Sequence, residues 1–311
     1  MAFDNLDDLR VLLATADTGS LTAAGRRCGL STAAVSAAMK RLESALGARL
    51  FDRTTRSVRP TAEGEVMIDH ARRALDIVAE GQAKVRGDHG ELVGTINVTA
   101  SSAMSQRLLA GWLGEFAAGH PGLEIDLQVS DSWLDLVKDG VDVALRNGPL
   151  PDSSLAARLL APAHRQAFAS PAFIERHGEP QHPAELAELD CIIGRLRGRK
   201  LDRWRFTPRG GAGPIDLPLD VPVRGRLACD NAAVALQWAR QGRGVVYLSE
   251  IDLHEPVRRG EMKRLFADFD GEPAPLYAVL PSARFTPHRV KVMVDALATW
   301  FGARMAGTQV S

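Results

Sequence analysis

Residues 20–43 read Ser20-Leu21-Thr22-Ala23-Ala24-Gly25-Arg26-Arg27-Cys28-Gly29-Leu30-Ser31-Thr32-Ala33-Ala34-Val35-Ser36-Ala37-Ala38-Met39-Lys40-Arg41-Leu42-Glu43. Two short helical patterns meet at Gly29. The first carries Leu21, Ala24 and Cys28 on one stripe, and the second carries Val35, Met39, Leu42 and Leu46, so each helix has one apolar face. A steep crossing of two helices needs small residues, which Ala24 and Gly25 supply. Gly29 frees the backbone at the turn, and Ser31 or Thr32 is placed to cap the second helix. That is the pattern of a helix-turn-helix. Its second helix offers Thr32, Ala33, Ser36 and Ala37 on the first turn, side chains small enough for the backbone to approach base edges in a major groove.

Working outward, residues 50–64 (Leu50-Phe51-Asp52-Arg53-Thr54-Thr55-Arg56-Ser57-Val58-Arg59-Pro60-Thr61-Ala62-Glu63-Gly64) read as a two-stranded wing closed by Pro60, with Thr61 capping the next helix. Arg53, Arg56 and Arg59, with Thr54 between them, sit on that wing. From 21 to 60 eight Lys or Arg stand against two acids, a net +6, while the whole chain is neutral. Positive charge is thus concentrated where a phosphate backbone would lie, with Lys40 and Arg41 adding to it. Upstream, Leu6, Leu9, Leu13 and Ala16 recur with helical spacing behind acids Asp4, Asp7 and Asp8, which predicts an opening helix over 4–17.

The ordered set Leu21-Thr22-x-Ala24, Ser31-x-x-Ala34-Val35-Ser36, Arg41-Leu42-Glu43, Leu46-Gly47, Leu50-Phe51-x-Arg53-x-x-Arg56 and Thr61-x-x-Gly64 resembles the amino-terminal domain of LysR-type transcriptional regulators. The recognition helix departs from that family's common pattern. Thr32-Ala33 stands where a Gln-Pro pair is common, and Ala37 and Ala38 stand where longer polar side chains are common. This shifts expected recognition toward backbone contacts and groove shape. The resemblance implies a winged helix-turn-helix over 1–60, a linker helix over 61–88 and an effector-binding domain over 92–303. It also implies double-stranded operator DNA and a small-molecule effector as partners, within a dimer of dimers.

The linker reading has its own basis. Gly64, Ile68, Ala71, Leu75, Val78, Gln82 and Val85 alternate steps of four and three, a heptad seam on a helix of about 26 residues that is roughly 39 Å long at ~1.5 Å per residue. So narrow a stripe is expected to serve a homodimer through residues 61–86 rather than a globular core beside it; packing on the chain's own effector domain is the alternative.

From Gly94 the pattern becomes strand, helix, strand, helix, strand (94–100, 101–118, 123–129, 132–139, 141–146), the mark of an α/β unit with a parallel sheet. A second unit follows, with strands at 165–170, 191–193, 227–231 and 244–248 and a helix from Ala232 to Gln241. Strand 276–280 and a helix over 287–301 return to the first. By resemblance this body is a two-lobed, periplasmic-binding-protein-like (type 2) domain, with lobe I at 92–161 and 267–303 and lobe II at 162–266. Ligands in such sheets sit at carboxyl ends of strands. Those ends carry Ser101, Ser102, Ser130, Asp131, Arg146 and Asn147, of which Ser101, Ser102, Ser130 and Arg146, with the cap residue Asn231, are the effector candidates. Hydroxyls and amides aimed into one cleft suit an anionic or polar ligand. The Gly- and Arg-rich stretch 197–222 lacks GK[ST] and is expected to be an exposed hairpin or loop.

Other classes are weakly supported. The chain has 311 residues, enough for two or three domains. No apolar run approaches the roughly 20 residues of a membrane span, and the acidic start Met1–Asn5 is unlike an export leader, so a cytoplasmic protein is expected. A free solute-binding protein would not carry the basic head. Eight histidines and three cysteines form no metal-ligand spacing, and no nucleophile elbow, Walker loop or dinucleotide fingerprint is present, so neither metal, cofactor nor catalysis is expected. Cys28 falls on a helix's apolar stripe. Cys191 and Cys229 leave a thiol-switch regulator as the main rival.

Overall fold

The computed structural model describes residues 5–53, 58–86, 92–131, 136, 140–148, 150, 155–196, 198–209, 218–281 and 286–306. The head is built from α1 (Leu6–Thr18), α2 (Leu21–Cys28) and α3 (Thr32–Leu46). Each is capped by its own chain: the Asn5, Ser20 and Ser31 side chains accept from backbone amides of the first turns, and Gly19, Gly29 and Gly47 close the other ends with φ between 62° and 67°. Gly25 is needed for a different reason. A Cβ there would lie 2.6 Å from the Leu30 carbonyl oxygen, so the turn can close only over a glycine. Strands β1 (Phe51–Arg53) and β2 (Val58–Pro60) pair antiparallel as the wing, and α4 runs Ala62–Arg86.

The heptad seam of α4 is divided. Ile68 and Ala71 are buried in the head core with Leu9, Leu12, Val35, Met39 and Leu42, and Leu75 packs against it. Val85 is 89% exposed and Ile77, off the seam, 48%. The expectation that a neighbouring core would leave the stripe unused therefore holds only for its carboxyl half. The amino half fills the groove beside α1, because a three-helix head needs a fourth element to cover its open side.

The first α/β lobe is a five-stranded sheet of order β4-β3-β5-β16-β6, made of β3 (Gly94–Ala100), β4 (Leu123–Val129), β5 (Val143–Asn147), β6 (Ala156–Ala161) and β16 (Leu276–Leu280). Strand β3 is parallel to both neighbours, whereas β16 runs antiparallel to β5 and β6. The sheet is thus mixed rather than parallel. Two half-helices, α5 (Ser102–Met104) and α6 (Ala110–Ala118), are joined by a π turn, Ser105–Leu109, where one helix was expected. The carboxyl-terminal helix α10 (His288–Ala306) lays Val290, Met293, Leu297 and Phe301 on the same core. The helix expected over 132–139 falls on residues that, apart from Leu136, lie outside the described set.

The second lobe has three small sheets. One is β13-β7-β14 (Val246–Ser249, Arg165–Ala169, Lys263–Arg264); another is β12-β8-β9 (Ala228–Cys229, Ile193–Leu196, Arg199–Leu201). The third is β11-β10-β15 (Leu219–Pro222, Arg203–Pro208, Phe269–Gly271). Helices α7 (Pro171–His177), α8 (Ala232–Arg240) and α9 (Glu250–Arg258) cover them. The stretch expected to be an exposed hairpin or loop is corrected here: Trp204, Phe206 and Val221 are buried on β10 and β11, so its flanks are core, while 210–217 lies outside the described residues. Helix α9 went unread because Pro256 lies inside it. It joins the lobes, with Ile251 in the first lobe's core and Leu253 in the second's.

Candidate nucleic-acid interface and effector cleft

On α3 the two faces separate cleanly. Val35, Ala38, Met39 and Leu42 are buried, while Thr32, Ala33, Ala37 and Lys40 are exposed and Ser36 is half-buried. Of the two alanines set against longer family side chains, only Ala37 faces out; Ala38 is core. Thr32 Oγ1 lies 3.5 Å from the hydroxyl of Thr22, which is exposed on α2 and was not among the candidates. Arg41 is exposed and also bonds within the head. Its Nε and one terminal nitrogen donate to the two carboxylate oxygens of Asp8, a buried residue of α1, at 2.9 and 2.6 Å. This fork ties α3 to α1 and raises the Arg41 pKa. Arg59 is exposed on the wing opposite Asp52. Thr54, Arg56 and the side chain of Arg53 lie outside the described residues.

The effector candidates converge at the ends of β3, β4 and β5 and at the start of α8. Ser101 caps α5, its hydroxyl accepting from the Met104 amide. Asn231 caps α8 through Oδ1 and reaches across the lobes with Nδ2, donating to Ser102 Oγ at 2.9 Å and to Asp131 Oδ2 at 2.8 Å. Ser102 donates to the same carboxylate twice, from Oγ at 2.8 Å and from its amide at 3.2 Å. Arg146 is buried, donating to the Ser130 carbonyl at 2.8 Å and to Thr99 Oγ1 at 3.4 Å. Burial pulls its pKa down, and the Asp131 charge opposes that. Asp131 was therefore the missing member of the group. It stands at the strand end already read for Ser130.

A second bridge lies behind the first. Asn147 Nδ2 donates to Asp252 Oδ2 at 3.3 Å, joining β5 to α9. The Asp252 carboxyl is buried, and its Oδ1 has no hydrogen-bond partner among the described residues. Burial pushes its pKa to about 7, while Arg107 of the π turn and Arg165 pull it back and Asp131 pushes it further. Because the folded-state pKa is raised, the native state holds the proton more tightly than the unfolded chain does. The stability this contributes is full below the ordinary carboxylate pKa of ~3.9 and is lost as pH rises through about 7. Asp252→Asn should therefore melt above the unsubstituted chain near pH 8 and lose most of that lead near pH 5. A lead that is the same at both pH values would refute this assignment.

Burial disfavours the thiolate at both Cys191 and Cys229. Cys191 is buried, its Sγ 3.7 Å from the Leu186 carbonyl, and burial raises its pKa to about 12; that of Cys229, beside the Asn231 carbonyl, also rises. Cys229 is in register with Gly194 on β8, so Cys191 stands three positions away along the strand. At ~3.3 Å per residue that is roughly 10 Å, beyond the ~7 Å span of a disulfide. Among the described residues no helix is long and apolar enough to cross a membrane.

Comparison with known proteins follows this division of the chain. Residues 6–65 match the model described as "Bacterial regulatory helix-turn-helix protein, lysR family", and residues 89–302 match "LysR substrate binding domain". An HTH-type transcriptional regulator of Xanthomonas campestris pv. campestris is 32% identical over 298 residues, covering 95% of this chain and 85% of that one. DmlR, an HTH-type transcriptional regulator of Escherichia coli, is 30% identical over 296 residues, covering 95% and 94%. The solved structure of CrgA, a LysR-type transcriptional regulator from Neisseria meningitidis, superposes with a TM-score of 0.60 at 28% identity, covering 96% of this chain and 100% of that one.

Proposed function

We infer, for a chain that belongs to the family of LysR-type transcriptional regulators, that operator DNA is held by the first turn of α3 and the wing, under control of a polar or anionic ligand in the cleft between two lobes. The observation that carries this is the exposed row Thr32, Ala33, Ala37 and Lys40, laid out on a rigid helix whose opposite face is core. Small side chains there bring the helix axis close to the bases, and Ser36 and Thr32 offer hydroxyls. Arg53, Thr54, Arg56 and Arg59 on the wing are assigned to the phosphates or minor groove. Arg41 acts by orienting α3 through Asp8.

We take 1–60 as the DNA-binding domain, 61–88 as the linker and 92–303 as the effector domain. The two half-sites that such heads read call for a dimer, and the exposed carboxyl half of α4 is the surface we assign to it, with a tetramer built from two such pairs. In the cleft, Ser101, Ser102, Ser130, Arg146 and Asn231 form the ligand wall. Ligand preference for one lobe arrangement would then shift the spacing of the heads.

The test is fluorescence anisotropy of the full chain on a duplex from the region upstream of its own gene, titrated with salt. Arg59→Ala is expected to weaken binding to specific and random duplexes alike and to reduce the salt slope by about 0.9, the loss of one phosphate contact. An unchanged slope would remove Arg59 from the interface. Binding no tighter than to random DNA, tested across the regulator's neighbouring intergenic regions, would sink the proposed α3 readout.

A further inference from the structure

The donors best placed to receive a ligand's carboxylate in this cleft already hold one. Asp131 takes both donations of Ser102, from the amide and from Oγ, and the donation of Asn231 Nδ2 from the opposite lobe. Ser102 Oγ is itself oriented by Asn231, so one hydroxyl and one amide serve both lobes at once. The charge is matched as well: Asp131 is an anion that acts on the buried guanidinium of Arg146. Yet Asp131 is an exposed residue. The preceding residue is fixed, since the Ser130 amide donates to the Ala100 carbonyl and extends the β3–β4 ladder. A rotation at Asp131 is therefore enough to carry its carboxylate into solvent, where the charge is solvated at little cost.

We propose that Asp131 is a built-in occupant of the effector cleft, a tethered carboxylate that closes the lobes in the absence of ligand, and that the effector carries a carboxylate that displaces it from Ser102 and Asn231. This rests on the cleft reading above and names the ligand's binding group and its intramolecular competitor. Exchange of one carboxylate for another keeps the number of hydrogen bonds and the charge beside Arg146 unchanged. Selectivity must then come from the rest of the ligand, and affinity is reduced by the effective concentration of the tethered competitor. A neutral ligand would not replace the Asp131 charge that acts on Arg146.

Chemical rescue tests this in the full chain. Asp131→Ala opens a carboxylate-sized space over Ser102 and Asn231, and acetate is the probe. At about tenfold excess over its Kd, acetate is expected to raise the variant's melting temperature by roughly 3–6 °C beyond sodium chloride at equal ionic strength. The unsubstituted chain should show no acetate-specific shift. Asp131→Ala combined with Ser102→Ala should lose the rescue, and acetamide, neutral and of similar shape, should not reproduce it. If acetate does no more than chloride for a folded Asp131→Ala chain, the proposal is overturned. Should the alanine variant not fold, Asp131→Ser, which keeps a partner for Asn231, carries the same comparison. Anisotropy on DNA with the same protein separates the two readings. Rescue without specific DNA binding would keep the carboxylate site and overturn the regulator's DNA assignment, and DNA binding without rescue would do the reverse.

Discussion

Gly64→Ala is expected to unfold the head while leaving the effector body standing. An added Cβ would lie 1.9 Å from the Leu50 carbonyl oxygen and 2.9 Å from its carbon, an overlap that something must relieve. The carbonyl has little freedom to move. It accepts from the Thr61 amide at 3.0 Å, and the amide of Leu50 donates to Glu43 at 2.9 Å, while the side chain is buried. Relief must come from displacing α4 off the head, at a cost of ~3 kcal/mol or more. Scanning calorimetry should show the head transition lowered or lost with the effector transition in place, and DNA binding should fall with it. Gly81→Ala is the control on the same helix, with nothing within 4 Å of the new methyl. There alanine should be neutral or stabilising by about 0.5–1 kcal/mol, through helix propensity alone. Equal melting curves for the two variants would show that the Gly64 contact does not fix the helix.

Arg289→Ala should destabilise the effector body nearly as much, by a different route. The side chain is 10% exposed; it donates to Asp76 of α4 at 2.5 Å and to the Thr95 carbonyl at 2.8 Å. Gly94, with φ +103°, lies beneath the guanidinium. Asp142 lies within reach of the same charge: burial raises its pKa, Arg289 lowers it and Asp76 raises it again. Removing the cation takes away the charge that offsets both Asp76 and Asp142, and among the described residues Asn97 alone then donates to Asp142, from its backbone and side-chain amides. Breaking a largely buried pair costs about 3 kcal/mol, or roughly 6–12 °C in the melting temperature of a domain this size. Arg289→Lys should recover only part, because one ammonium cannot serve both Asp76 and the Thr95 carbonyl in the same geometry. A melt unchanged by the alanine substitution would mean the pair is idle.

What could be read from the chain depended on whether the signal was local. The head was legible because its caps, its glycines and its apolar stripes all lie within a few residues of what they act on. The strands of the first lobe were legible through alternation at 94–100 and 123–129. Strand β6 and helix α9 were not, the first because Ala156–Ala161 has no alternation to show, the second because Pro256 argues against a helix. In 197–222, Trp204 and Phe206 alternate as a buried strand should, but the neighbouring glycines and arginines outweighed them. The cleft was half legible. Strand ends named Ser102, Ser130 and Asn231, but that Asn231 meets Ser102 across 129 positions of chain is a fact of tertiary folding. Partnership between Asp131 and those donors, and between Asn147 and Asp252, could not be inferred from spacing.

The divided seam of α4 has a mechanical meaning. Ile68 and Ala71 fix the helix to the head, and Asp76 fixes it to the effector body within two turns of the same rod. Between those anchors lies a stretch of helix with every backbone bond closed, stiff in torsion and too short to bend. A rotation imposed at Asp76 therefore cannot be absorbed on the way and appears at α3 as displacement scaled by its distance from the rod axis. On the proposed reading, such a rod would gear the head to the effector body rather than tether it.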